Sequence, residues 1–70
     1  MNWTNNMFML FEIWVEDEDG RQELIDTTAS QTEAFKIAEK AVIEGAFASI
    51  VLKEDDSGDI SEVQRFESEE

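Results

Sequence analysis

The 70-residue chain has no cysteine, no histidine and no proline, and only five basic residues stand against eighteen acidic ones. Without cysteine there is no disulfide framework, no thiolate nucleophile and no cysteine zinc site, which suits a reducing compartment. Without histidine or cysteine, hydrolytic or transfer chemistry would rest on a buried carboxylate pair or a lysine of lowered pKa. Glu12 is the one acid inside an apolar run, and strand parity sends it to the outer face. The chain is therefore expected to be no enzyme, and to carry no cofactor and no metal. With no proline and no low-complexity linker to mark a boundary, residues 1–70 read as a single small domain whose ends, 1–6 and 67–70, are expected to fray.

Basic residues are also too few and too scattered for a nucleic-acid groove. Arg21, Lys36, Lys40, Lys53 and Arg65 form no cluster in the sequence, whereas stacking sites for single strands pair aromatic rings with a positive channel. The net charge of -13 repels phosphate backbones and anionic membranes and favours basic protein surfaces, with screening beyond about 10 Å at 0.1 M salt. Long apolar segments are missing as well. Met7 to Val15, interrupted by Glu12, falls short of the ~20 residues that span a bilayer, and no basic residue precedes it as in a secretory signal. A cytoplasmic protein is expected, with no direct nucleic-acid or membrane partner.

What is present is a clear alternation. Met7, Met9, Phe11, Ile13 and Val15 share one face of a strand, the core face, while Phe8, Leu10, Glu12, Trp14 and Glu16 share the other. Asp17 to Gly20 follows as a turn, because Asp-Gly accepts the positive φ of a tight hairpin. A second strand is expected from about Arg21 to Thr27. A two-residue turn at Asp19 and Gly20 would set Leu24 opposite Val15 on the core face and Ile25 opposite Trp14 on the outer face. A four-residue turn would also give Leu24 an odd-numbered partner.

Ser30, Gln31, Thr32 and Glu33 spell a capping box, with the serine oxygen accepting from a backbone amide and the glutamate reaching back to the serine amide. Ala34, Phe35, Ile37, Ala38, Ala41 and Val42 then form an apolar stripe at helical spacing, and Gly45 is placed to end the helix. The alanines predict a helix lying close to what it covers. Ala46 to Lys53 reads as a third strand, Asp55 to Asp59 as a second acidic turn, and Ile60 to Phe66 as a fourth strand of undetermined register. The two hairpins look too dissimilar to form a repeat. The order β-β-α-β-β predicts an α+β fold: a four-stranded, mainly antiparallel sheet with one helix packed on one face.

Neither turn satisfies a calcium loop. With Gly58 sixth, Lys53 stands first and Gln64 last; with Gly20 sixth, Val15 stands first and Asp26 last. Two candidate surfaces are left. One is the acidic turns, expected at opposite ends of the molecule: Glu16, Asp17, Glu18 and Asp19, with Glu54, Asp55, Asp56 and Asp59. The other is an apolar strip on the uncovered sheet face, formed by Phe8, Leu10, Trp14 and Ile25 with help from Phe47 or Phe66. Trp14 leads it, since tryptophan often dominates interfaces.

In size and acidic composition, with no specific motif involved, the chain resembles the nucleic-acid mimics with which phages and mobile elements block restriction, CRISPR or transcription proteins. That resemblance implies an inhibitor that occludes the basic surface of a nucleic-acid-binding protein or nuclease complex. The competing expectation is a homodimer or accessory domain joined through the apolar strip, its acids serving solubility.

Overall fold

Alternation takes the first strand, β1 (Leu10–Glu16), into the middle of a sheet, with Phe11 and Ile13 turned inward and buried. The computed structural model describes residues 9–68. After β1 come β2 (Gln22–Thr28), α1 (Gln31–Ile43), β3 (Ala48–Glu54) and β4 (Ile60–Glu67). The strands form one antiparallel sheet in the order β2-β1-β3-β4, and α1 packs over one face. This is the expected α+β architecture. Met7 and Phe8 lie outside the described residues, as does the segment 1–6.

The core is thin and sits between α1 and the sheet. Phe11, Ile13 and Val51 from the central strands meet Ala34 and Ala38 of the helix, and Met9, Phe35, Ile37, Val63 and Phe66 pack around them. Alanine at the contact lets the helix approach closely, as anticipated. Buried Ser49 uses that closeness, its hydroxyl donating to the Ala38 carbonyl at 2.7 Å.

The helix begins as its cap dictates, with the Glu33 amide donating to the Ser30 hydroxyl oxygen at 3.2 Å. The reciprocal half of the box is replaced: the Ser30 amide donates to the Thr28 hydroxyl at 3.1 Å, and not to Glu33. At the other end, the Gly45 amide donates to Val42 and the Ala46 amide to Ala41, the paired bonds of a Schellman motif. Gly45 has φ +125°, a backbone that side chains rarely tolerate.

Turn length corrects the expected first hairpin. The Asp17 amide donates to Arg21 and the Gly20 amide to Asp17, so three residues, Glu18 to Gly20, form the loop. An odd loop reverses parity. Leu24 therefore faces Trp14, not Val15, and joins the outer face. Ile25 is not opposite Trp14: it is the extra residue of a β-bulge, between Leu24 opposite Trp14 and Asp26 opposite Ile13.

The second hairpin repeats this construction. Asp55 and Asp59 exchange the bond that Asp17 and Arg21 exchange, Gly58 donates to Asp55, and Val63 is the bulged residue. Asp17, Gly20 and Ile25 thus correspond to Asp55, Gly58 and Val63 at constant spacing, and Ile13 pairs with Val51 at that same spacing. A local two-fold axis normal to the sheet, passing between Ile13 and Val51, relates the hairpins. They are a structural repeat, contrary to the reading of their sequences, in which only Glu16, Asp17 and Gly20 recur at the matching positions as Glu54, Asp55 and Gly58.

One further expectation changes. Phe66 is opposite Ser49 on the helix face, edge-on to Phe35 with ring centroids 5.9 Å apart, so it takes no part in the outer strip. Glu67 closes β4 and the Ser68 amide donates to the Phe47 carbonyl at 3.0 Å, while 69–70 lie outside the described residues.

Candidate functional site

The β1–β3 register fixes where the acids go. Glu16 lies beside Ala48 at one end of the central strands and Glu54 beside Leu10 at the other, so the two acidic turns leave the sheet at opposite ends. Within each turn the leading aspartate is structural. Asp17 Oδ1 accepts from the amides of Asp19 and Arg21, and Asp55 Oδ1 accepts from those of Ser57 and Asp59. The Ser57 hydroxyl also donates to Asp55 at 2.7 Å, and this bond above all holds the Asp55 carboxyl below its ordinary pKa. Glu18, Asp19, Asp56 and Asp59 are exposed at the tips. They are the carboxylates that the turns leave facing solvent.

Glu16 belongs to a different system. Its Oε1 accepts from Arg65 Nη2 at 3.1 Å, and Arg65 Nε donates to Glu67 at 2.7 Å. These bonds, to Glu67 first and then Glu16, raise the guanidinium pKa further. Because β3 lies between β4 and β1, the Arg65 side chain must cross the outer side of β3 between Ile50 and Ala48. Both are buried, at 5% and 0% exposure, on the side of the sheet that no helix covers. Arg65 partly roofs the face that the sequence left bare.

The rest of that face is mixed. Trp14 is half-buried and its indole N–H donates to Glu12 at 3.0 Å, which gives the one acid of the apolar run a local role. Leu10 is half-buried, and Leu24 and Ile60 are exposed; the bulged Ile25, exposed as well, corresponds to Val63, which packs on the helix side. Phe8 lies outside the described residues. Leu24, Ile60 and Arg65 were missed as members of this face. The Asp-x-x-Gly spacing shared by both turns is the sequence signal that would have reset the parity of Leu24.

On the helix side, an open groove of about 1020 Å³ separates the first acidic turn from the link between α1 and β3, lined in part by Val15, Asp17, Glu23, Gly45 and Phe47. Among the described residues, no three carboxylates converge to hold a metal ion. Nor is any helix there long and apolar enough to cross a membrane.

These features define a small α+β chain whose outward chemistry is carboxylate at both ends and mixed apolar and acidic on the open face. No protein-family model, curated protein or solved structure matches it.

Proposed function

We propose that this chain acts by binding and not by turnover: it occludes a basic, nucleic-acid-handling surface of a partner protein in the cytoplasm, as nucleic-acid mimics do. The placement of the two acidic tips supports this reading. About eleven residues of extended strand separate them, roughly 35 Å at ~3.3 Å per residue. Phosphates recur on one side of a B-form duplex at about 34 Å, once per helical turn. Anionic groups held at that interval on a hydrogen-bonded sheet offer a cationic surface what a duplex would, with turn bonds to Asp17 and Asp55 keeping each tip in shape.

The test is capture from a lysate on the immobilised chain, beside a variant carrying Glu18→Lys, Asp19→Lys and Asp56→Lys. Retained proteins should leave the native chain between about 50 and 200 mM salt, as phosphate-binding surfaces do, and should be displaced by duplex DNA. The reading fails if retention ignores the charge reversals or survives competing DNA.

Self-association through the open face is the second reading, favoured by Leu24 and Ile60 at 43% and 56% exposure. It predicts a dimer that persists or tightens at high salt.

A further inference from the structure

The local two-fold axis relates the two turns, but the side chains beside them differ. At the first turn, Val15, Glu23 and Phe47 line the open groove on the helix side. The axis carries these positions to Lys53, Ser61 and Met9 beside the second turn, so a lysine stands there in place of the valine and a serine in place of the glutamate. Strand parity turns Phe47 to the helix side with Ser49 and Val51, yet α1 has already ended at Ile43. Phe47 is left 47% exposed at the groove.

We infer that this groove is the seat for an arginine-bearing segment of the basic partner, with the guanidinium against the Phe47 ring and bonded to the Glu23 carboxylate. The inference deepens the proposed function and rests on it, by making the first turn, and not the second, the place where a cationic side chain is held.

Charge selects the occupant. Five carboxylates line the groove against one guanidinium, that of Arg21. Glu16 is taken by Arg65, and Asp17 by the amides of its own turn. Glu18, Asp19 and Glu23 are exposed, and their carboxylates accept no hydrogen bond or ion pair among the described residues. Arg21 makes no ion pair there either, so it leaves them open to a ligand. A second copy would bring its own net charge of -13 to the same place and meet repulsion.

Arginine suits the groove better than lysine. Its planar guanidinium stacks on an aromatic face while its edge still donates hydrogen bonds, whereas an ammonium is a strongly hydrated point charge. Half-buried Val15 and Ala46 offer apolar surface to the aliphatic stem. With a volume of about 1020 Å³, the groove takes several residues, so the arginine arrives on a loop or extended segment.

The experiment titrates the isotope-labelled full chain with two short peptides of equal length and charge, one carrying arginines and the other lysines at the same positions, and follows the amide resonances by NMR. The arginine peptide should bind about 3- to 5-fold more tightly, with the largest shifts in Asp17 to Glu23 and Gly45 to Phe47. Phe47→Ala should erase that preference, and Glu23→Gln should weaken the arginine peptide about 3-fold. Both positions are exposed, so the variants should keep the fold, which the dispersion of the amide spectrum verifies. Equal affinity for the two peptides, a preference that survives Phe47→Ala, or largest shifts at the second turn overturns the inference. The proposed function still stands in those cases if Glu18→Lys and Asp56→Lys weaken both peptides by similar factors. If neither peptide binds, the inference is lost and the lysate capture alone decides the proposed function. A dimer dissolved by Phe47→Ala, seen by analytical ultracentrifugation, assigns the groove to a second copy and also overturns the inference.

Discussion

Arg65 and Glu16, 49 positions apart, meet at 3.1 Å across the strand that separates them. The guanidinium does two things at once. It bridges Glu16 and Glu67, offsetting one of their two negative charges, and its aliphatic stem lies over apolar surface that would otherwise face water.

Removing the side chain separates these roles. Arg65→Ala should lower the thermal midpoint by about 5 °C, as expected for a chain of this size when one well-placed side chain is lost. Arg65→Met, which keeps an unbranched stem over Ile50, should recover part of that loss. Thermal melts at low and high salt check both. Full recovery by high salt alone would mean that the stem contributes nothing.

The helix contact should be intolerant of volume. Ala38 is fully buried against the sheet, and Ala38→Leu should destabilise by about 1 to 3 kcal/mol through overpacking. Ser49→Ala removes one buried hydrogen bond to the Ala38 carbonyl and should cost about 1 kcal/mol. Urea midpoints at unchanged slope measure both effects.

Acid should weaken the second turn. The Asp55 carboxyl has a folded-state pKa below its ordinary 3.8, so near that pH the unfolded chain binds more protons than the folded one. Its contribution is complete above the unfolded value and disappears as pH falls through the folded value. Asp55→Asn keeps an acceptor oxygen but cannot titrate. The stability difference between native chain and Asp55→Asn should therefore be constant from neutral pH to about pH 5 and should shift against the native chain below about 3.8. Comparing the two removes the opposing relief of self-repulsion among the other acids. A difference that stays flat across the acid range would contradict the assignment.

The helix start makes a sharp contrast. Ser30→Ala should cost about 1 kcal/mol, since its hydroxyl caps the Glu33 amide. Glu33→Gln should cost only a few tenths, all of it from charge near the helix amino end, because the Ser30 amide is already satisfied by Thr28. Equal losses would restore the reciprocal box.

Much of the fold was legible from residues a few positions apart. The alternation from Met9 to Val15 marked the core face of β1, Ser30 marked the helix start, Gly45 its end, and the alanines its close approach. Each depends on backbone geometry within a turn or two of chain. The acidic tips were legible for the same reason, because the turns and the central hairpin order place them. Leu24, Ile25 and Phe66 were not legible on the right faces. Their side depends on whether a loop holds two residues or three and on where a bulge falls, and one residue of difference reverses every later side chain.

The sequence by itself determined the local elements, the sign and surplus of charge, and the separation of the acids into two turns, since all of these follow from short-range propensity and composition. Only the tertiary structure decided the parity of each outer strand, the equivalence of the two hairpins and the bridge from Arg65 to Glu16. Those depend on partners distant in the chain, brought together by strand register and not by any local preference.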